Sequence, residues 1–190
     1  MTGTLKAAFT DRVEERFGED NAVVVMRQKS GRGIRFWVGD YRQPSDRNLS
    51  DKKIITDESG LITVPAAACS KPNSSTERIT FMQSWGGGTQ IHYQRLGSRP
   101  EIIRYTIEVP AAGKYQLTTT VATVSDKQSV IVRLNRRTLL NVMLPYTKGM
   151  WEQSKPETIE LREGRNSIML TFRAPNRGVS IKGFQLKPVK

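Results

Sequence analysis

The stretch Pro145–Leu186, PYTKGMWEQSKPETIELREGRNSIMLTFRAPNRGVSIKGFQL, decides the fold of this chain. Within it Ile168, Leu170 and Phe172 recur at every second position, and turn-forming Gly, Asn and Pro residues bound the alternating part. This alternation is typical of half-buried antiparallel strands. Trp151 precedes these strands in a loop rather than at a core-facing position, and it therefore indicates a binding surface.

The chain before this stretch continues the same pattern back to residue 61. Short strands at such spacing, with turn residues between them, predict a mainly β fold of the sandwich or barrel type rather than a βαβ fold. The predicted strands are Leu61–Val64, Ile79–Met82, Thr89–Tyr93, Arg104–Val109, Tyr115–Val124, Ser129–Leu134, Leu139–Leu144, Thr158–Leu161, Asn166–Phe172 and Val179–Leu186.

Residues 1–48 have a different pattern. An apolar residue at every fourth position predicts a helix over residues 4–17. The segments Ala22–Met26 and Ile34–Val38, separated by a Gly-containing turn, predict a β-hairpin. This α-β-β piece is too small to stand alone, so we expect it either to pack on the body or to be the tail of an upstream domain.

The segment 49–60 is polar and charged, and it is predicted to link the N-terminal piece to a β-sandwich over residues 61–190. The 190 residues suffice for one domain with a sizeable core. No apolar run approaches the roughly 20 residues that span a bilayer. The N-terminus also lacks the apolar region of a secretory signal. The chain is therefore expected to be cytoplasmic or an excised piece of a longer exported protein.

The net charge is +12, and the residues after Asn48 carry +10 of it. Such a field favours polyanions, which include nucleic acid, acidic polysaccharide and anionic surfaces. The basic residues are scattered and match no nucleic-acid-binding motif, so nucleic acid is the weaker expectation.

The residues that could carry catalysis or bind metal are few. The single cysteine, Cys69, lies among alanines and is interpreted as a small buried hydrophobe. The single histidine, His92, lies in a predicted strand without a nucleophile motif nearby, and it is interpreted as a structural or surface histidine rather than a general base. Glu108, Glu160 and Glu163 occupy predicted solvent-facing positions and form no recognisable catalytic pair. We therefore predict no enzyme activity, no cofactor and no metal.

The remaining constellation consists of aromatic and polar residues in turns. Sugar binding requires an aromatic platform for the apolar face of a pyranose, with donors and acceptors beside it for the hydroxyls. In the other interpretation, one or both tryptophans simply cap the core. The candidate platforms are Trp85, Tyr146 and Trp151, and the candidate polar partners are Lys148, Asn176, Arg177 and Ser180.

Four segments together resemble carbohydrate-binding modules of families 6 and 35. They are the opening strand Leu61–Ala67, the hairpin Tyr105–Tyr115, the loop Gly149–Trp151 followed by the turn segment Ile159–Ile168, and the final strand Gly178–Leu186. The resemblance covers about residues 60–188. It implies a jelly-roll β-sandwich of the galactose-binding-like type, to which the small N-terminal α-β-β extension would be attached.

The resemblance also implies roles for single residues. Trp151 corresponds to the loop tryptophan in the ligand cleft of these modules, and Ser180 stands where they often place a sugar-binding asparagine. The modules commonly hold a structural calcium with two acidic residues, whose positions here are occupied by Ala66 or Ala67 and by Lys182. A lysine supplies no oxygen ligand and has the wrong charge, so no calcium is expected there.

The leading hypothesis is a non-catalytic carbohydrate-binding module that is accessory to a larger exported bacterial protein, and hence extracellular or periplasmic. It is expected to be monomeric and to bind carbohydrate, with an anionic glycan as one candidate ligand. The alternative is a structural spacer or protein-docking β-sandwich without sugar-binding activity.

Overall fold

The computed structural model describes residues 24–27, 34–37, 52–84, 88–94, 100–123, 126–172 and 178–189. The helix predicted over residues 4–17 lies outside these ranges. Strands β1 (Val24–Arg27) and β2 (Ile34–Trp37) pair antiparallel, as the predicted hairpin requires.

The strands after residue 50 agree with the ten predicted from sequence, and their ends differ from the prediction by no more than two residues. Two further strands of two residues each, β3 (Ile55–Thr56) and β11 (Glu152–Gln153), have no predicted counterpart. β3 lies within the predicted linker and pairs with β4 (Ile62–Pro65). The strands are β3 (Ile55–Thr56), β4 (Ile62–Pro65), β5 (Ile79–Gln83), β6 (Thr89–Tyr93), β7 (Ile103–Val109), β8 (Gly113–Thr123), β9 (Ser129–Leu134), β10 (Thr138–Met143), β11 (Glu152–Gln153), β12 (Glu157–Leu161), β13 (Gly164–Thr171) and β14 (Val179–Pro188).

These strands form two antiparallel sheets, and the fold is mainly β, a jelly-roll sandwich as predicted. One sheet has the order β10-β9-β13-β7. The other is built around β8 and β14: β11 and β12 pair with the free side of β8, and β6 and β4 pair with the free side of β14. β5 and β3 extend this second sheet beyond β6 and β4.

The core lies between the sheets, because buried and more exposed residues alternate along the strands. In β7, Tyr105 and the other odd-numbered positions are buried, whereas Arg104, Thr106 and Glu108 are more exposed. Tyr105 meets Phe184 of β14 edge to face, with ring centroids 5.0 Å apart, so the two sheets are joined through an aromatic contact. Cys69 is also buried, which confirms its interpretation as a small core residue.

A β-bulge at Lys182 divides β14 into two parts. The register with β8 shifts between Ile181 and Gly183, and at the same place β14 changes its other neighbour from β6 to β4. A Cβ on Gly183 would lie 2.6 Å from the carbonyl oxygen of Val64, so this close approach requires glycine. The bulge turns the Lys182 side chain out of the regular alternation.

Within the described part of the chain, a search for helices of sufficient length and hydropathy to cross a membrane finds none.

Candidate functional site

The loop between β10 and β11 holds three of the predicted site residues, Tyr146, Lys148 and Trp151. It is fixed to the end of β8 by reciprocal hydrogen bonds between Thr123 and Thr147. The Thr123 N–H donates to Thr147 Oγ1 at 2.8 Å, and the Thr147 N–H donates to Thr123 Oγ1 at 3.1 Å. Both threonines are buried, so these bonds are shielded from water and hold the loop in one position.

A tight turn within this loop presents Lys148 to solvent. The Met150 N–H donates to the Thr147 carbonyl at 3.0 Å, and the Gly149 N–H donates to the Thr123 carbonyl at 2.8 Å. The two central residues, Lys148 and Gly149, have φ values of 54° and 92°. Positive φ at both positions is characteristic of a type I′ turn, which glycine adopts without strain and lysine rarely does.

Trp151 follows this turn and is half-buried. It is not part of the hydrophobic core cluster that the described residues form. The Lys182 ammonium lies 5.8 Å from the centroid of its ring system, within the range of a cation–π contact. The indole Nε1 is buried and has no hydrogen-bond partner among the described residues.

Ser180 lies on the outer face of the larger sheet, opposite His92 of β6. Its hydroxyl oxygen is 3.0 Å from His92 Nδ1, and both side chains are buried. A Cβ on Gly178 would lie 3.4 Å from His92 Cε1, so the chain passes close to the imidazole just before β14. His92 is therefore a structural residue, as predicted, and a sugar reaches Ser180 only if the groups that bury it move.

Gln90 precedes His92 by two positions on β6 and so shares its sheet face. It is fully buried, and neither atom of its side-chain amide has a hydrogen-bond partner among the described residues. Arg78, just before β5, is also buried and has one unpartnered nitrogen, Nη2. Buried polar atoms are nearly always paired in folded proteins, so this face has unused hydrogen-bonding capacity.

The predicted site residues thus fall into three groups. Tyr146, Lys148 and Trp151 share one loop, in which Tyr146 is 52% exposed and Lys148 is also exposed. Ser180 is on the neighbouring sheet face and is buried. The other three predicted residues, Trp85, Asn176 and Arg177, lie outside the described residues.

Sequence reasoning missed Thr123 and Thr147 as the residues that hold the loop, and it missed the contact of Lys182 with Trp151. A threonine pair 24 positions apart gives no local signal. The resemblance draws attention to Lys182 only as the residue at a position linked to calcium, and it predicts no contact with Trp151. Ala66 and Ala67, at the other such position, are fully buried and offer no oxygen from their side chains.

The carboxylates Glu108, Glu160 and Glu163 are exposed, as predicted for solvent-facing positions. Among the described residues, no group of three or more His, Cys, Asp or Glu side chains is placed to hold a metal ion.

Comparison with models of known protein families found no match, and comparison with curated proteins found none either. Solved structures do match. The C-terminal CBM6 of LamC, a marine laminarinase from Zobellia galactanivorans, is 19% identical with a TM-score of 0.55, covering 67% of this chain and 98% of that one. A family 35 carbohydrate-binding module from Clostridium thermocellum is 14% identical with a TM-score of 0.55, covering 68% of this chain and 98% of that one. The CsCBM6-3 module from Clostridium stercorarium, solved with cellobiose, is 21% identical with a TM-score of 0.53, covering 67% and 93%.

These matches confirm the resemblance to modules of families 6 and 35 at the level of the fold. At such low identity, a shared fold does not by itself establish a shared ligand.

Proposed function

We propose that this protein is a non-catalytic carbohydrate-binding module whose platform is Trp151. The observation that carries the proposal is the combination of a half-buried tryptophan outside the core with a loop that is hydrogen-bonded firmly to β8. A platform that is already in place loses little conformational entropy when a ligand binds.

The chemistry around Trp151 suits a sugar. Its half-buried ring offers a surface for the apolar face of a pyranose. Tyr146, exposed in the same loop, would supply a second aromatic surface. Of the predicted residues outside the described part, we assign Trp85 as a further platform and Asn176 and Arg177 as polar partners. Ser180 would be part of the site as a member of the sheet face that it shares with His92 and Gln90.

Two cations favour an acidic polysaccharide as the ligand. Lys148 is exposed three residues before Trp151, and the Lys182 ammonium lies 5.8 Å from the Trp151 ring. A lysine at either place can pair with a carboxylate or sulfate on the sugar while the ring stacks.

The matched modules suggest what kind of larger protein this chain could belong to. One of them is the C-terminal part of a laminarinase, and another was solved with cellobiose. By analogy, we propose that this chain acts as a monomeric accessory module of an exported bacterial protein, in the extracellular space or periplasm, with residues 1–48 as an attached piece and 49–60 as its connection to the body.

Affinity gel electrophoresis tests the proposal directly. The protein is run through native gels that contain laminarin, hydroxyethylcellulose or polygalacturonate, and its mobility is compared with that in a gel without polysaccharide. We expect at least one polymer to retard the protein and the Trp151→Ala variant to lose about tenfold in affinity, since one stacked aromatic ring contributes on the order of 1–1.5 kcal/mol.

Leu139→Ala is the matched control, because Leu139 is a large exposed apolar residue on β10 of the other sheet. It is expected to bind like the unmodified protein. Equal retention of Trp151→Ala and the unmodified protein would remove Trp151 from the site. If no polysaccharide retards the protein, the result favours the alternative, a spacer or protein-docking sandwich without sugar binding.

A further inference from the structure

A second surface, far from Trp151, is rich in unpaired arginines. We name it the arginine groove; it is a cavity of about 930 Å³ at the end of the sandwich where β12 turns into β13 and β9 turns into β10. Its volume lies within the range of about 300–1,000 Å³ that is usual for ligand pockets. The cations that line it are Lys71, Arg104, Arg136, Arg137, Arg162 and Arg165.

The arginine groove has an excess of positive charge that the protein itself does not neutralise. Glu160 is the one carboxylate among its described lining residues. No ion pair joins any of the six cations to a carboxylate within the described part of the chain, and the Arg162 Nε–H donates instead to the Arg165 carbonyl at 3.0 Å. Unpaired guanidinium groups around a concavity focus a positive potential and present forked donors to carboxylate or sulfate oxygens.

Two turns place these arginines side by side. In the β9–β10 turn, the Arg137 N–H donates to the Leu134 carbonyl at 2.9 Å. The central residues of this turn, Asn135 and Arg136, both have positive φ, 46° and 63°. Asn135 also accepts a hydrogen bond from the Ser167 N–H at 2.9 Å, which fastens the β9–β10 turn to β13.

The conformation of Arg136 is informative because it is unfavourable. Position i+2 of a type I′ turn is normally glycine, and a side chain with φ near +63° is strained. Strained backbone persists mainly where the side chain it presents serves a function. Arg136 is exposed and lines the groove, so its guanidinium is accessible to an anion there.

The groove is separate from the site around Trp151. Gly113 lines the groove, and Thr123 holds the tryptophan loop; they are the first and last residues of β8. At about 3.3 Å per residue, these two ends of the strand are roughly 33 Å apart.

We propose that the arginine groove binds the carboxylate or sulfate groups of an anionic polysaccharide, as a second site on the same module. This inference rests on the proposed function, and it identifies the class of polysaccharide. The described lining residues include no aromatic side chain, so the groove lacks the stacking platform that single-stranded nucleic acid requires. Two sites on one long polymer would also strengthen retention through effective concentration.

The test distinguishes binding by the charges of the arginine groove from binding by the net positive charge of the whole protein. The double variant Arg136→Gly/Arg165→Gln removes two groove charges, and glycine relieves the strain at position 136, so its unfolding midpoint in urea should not fall because of that turn. The control, Lys53→Gln/Lys187→Gln, removes two charges from exposed residues that do not line the groove. Affinity gels contain polygalacturonate, dextran sulfate or neutral hydroxyethylcellulose, at 50 mM and 300 mM NaCl.

We expect the groove variant to bind polygalacturonate or dextran sulfate about fivefold more weakly at 50 mM NaCl, and the control to change by less than about twofold. The polymer that shows the larger loss tells whether carboxylate or sulfate is the recognised group. An equal loss in both double variants would overturn the proposal in favour of diffuse charge. So would single-stranded DNA that binds as tightly as either polyanion and loses affinity in the groove variant.

The Trp151→Ala variant keeps this test distinct from the proposed function. If Trp151→Ala binds every polymer normally while the groove variant loses polyanion binding, the Trp151 platform fails and the groove stands. If only Trp151→Ala loses binding, the groove fails and the platform stands.

Discussion

The side-chain amide of Asn135 donates a 2.8 Å hydrogen bond to the side-chain oxygen of Asn166, across the gap between the β9–β10 turn and the β12–β13 turn. Asn166 is buried, and its own Nδ2 donates to the carbonyls of Arg162 and Gly164 at 2.7 and 2.9 Å. One buried amide therefore shapes the β12–β13 turn and ties it to the β9–β10 turn. The arginines of the groove are brought together by these two asparagines.

Replacing Asn166 with alanine is expected to lower the free energy of unfolding by about 2–4 kcal/mol, because several buried partners lose their hydrogen bonds at once. Urea denaturation followed by circular dichroism measures the change. Asn141→Ala, at an exposed position on β10, is the control and should stay within about 0.5 kcal/mol. A loss below about 1 kcal/mol for Asn166→Ala would mean that water replaces the amide in the turn.

Replacing Thr123 with valine keeps the shape of the side chain and removes its hydroxyl, which bonds the N–H of Thr147 and the carbonyl of Pro145. We expect a loss of about 1–3 kcal/mol of stability. We also expect weaker sugar binding and faster hydrogen exchange at the Gly149 amide, which donates to the Thr123 carbonyl. Thr118→Val, on the outward-facing side of the same strand, should change none of the three. Unchanged exchange at Gly149 in Thr123→Val would show that the loop is held by other contacts.

Replacing Gly183 with alanine places a Cβ 2.6 Å from the Val64 carbonyl oxygen, and the nearest atoms are all backbone atoms of Val64 and Pro65, which leave little room to move. The expected loss is about 2–3 kcal/mol of unfolding free energy. Gly164→Ala separates the clash from conformational strain, because Gly164 has φ of 75° and no atom within 4 Å of the added Cβ. It should cost about 1–2 kcal/mol. A smaller loss at Gly183 than at Gly164 in thermal and urea unfolding would contradict the close packing of β14 on β4.

The turn before β4 makes the stability of the folded state depend on pH. The Ser59 hydroxyl donates to Asp57 Oδ1 at 2.6 Å, and the N–H groups of Ser59 and Leu61 donate to the same oxygen. These bonds favour the carboxylate and hold the pKa of Asp57 below its ordinary value of 3.8. A lowered pKa stabilises the folded state at pH values above 3.8, and this contribution is lost as pH falls through the lowered value.

The Asp57→Asn variant should therefore melt below the unmodified protein at pH 7, and the difference should shrink as the pH falls below 3.8. Melting temperatures from pH 2.5 to 7 give the comparison, and Glu58→Gln, at the exposed neighbouring position, controls for loss of one negative charge. A melting-temperature difference that stays constant over this range would show that Asp57 acts through turn geometry and not through its charge.

Much of the fold could be predicted from the sequence, since the information is local. Ile168 and Leu170 recur at every second position and are buried in β13, and Ile103 and Ile107 alternate with more polar neighbours and are buried in β7. β3 and β11 could not be predicted in this way, because two residues contain no period and both strands exist only through the longer strands they pair with.

The candidate site was predicted only in part. Trp151 was recognisable because its position in a turn-rich loop conflicts with a role in the core. The surroundings of Trp151 were not recognisable from the sequence. Lys182, which contacts its ring, is 31 positions later in the chain and lies at a β-bulge. The arginine groove escaped prediction for a similar reason: its cations are scattered through the sequence from Lys71 to Arg165 and form no run.

The sequence by itself determined the mainly β fold, the alternating core and the loop that carries Trp151, since each of these depends on periodicity and turn residues within a few positions. The tertiary structure decided what surrounds the tryptophan and where the positive charge collects. Strand pairing and turn geometry bring together side chains that are distant in the chain, and neither the bulge at Lys182 nor the strained turn at Arg136 has a local signal that predicts it.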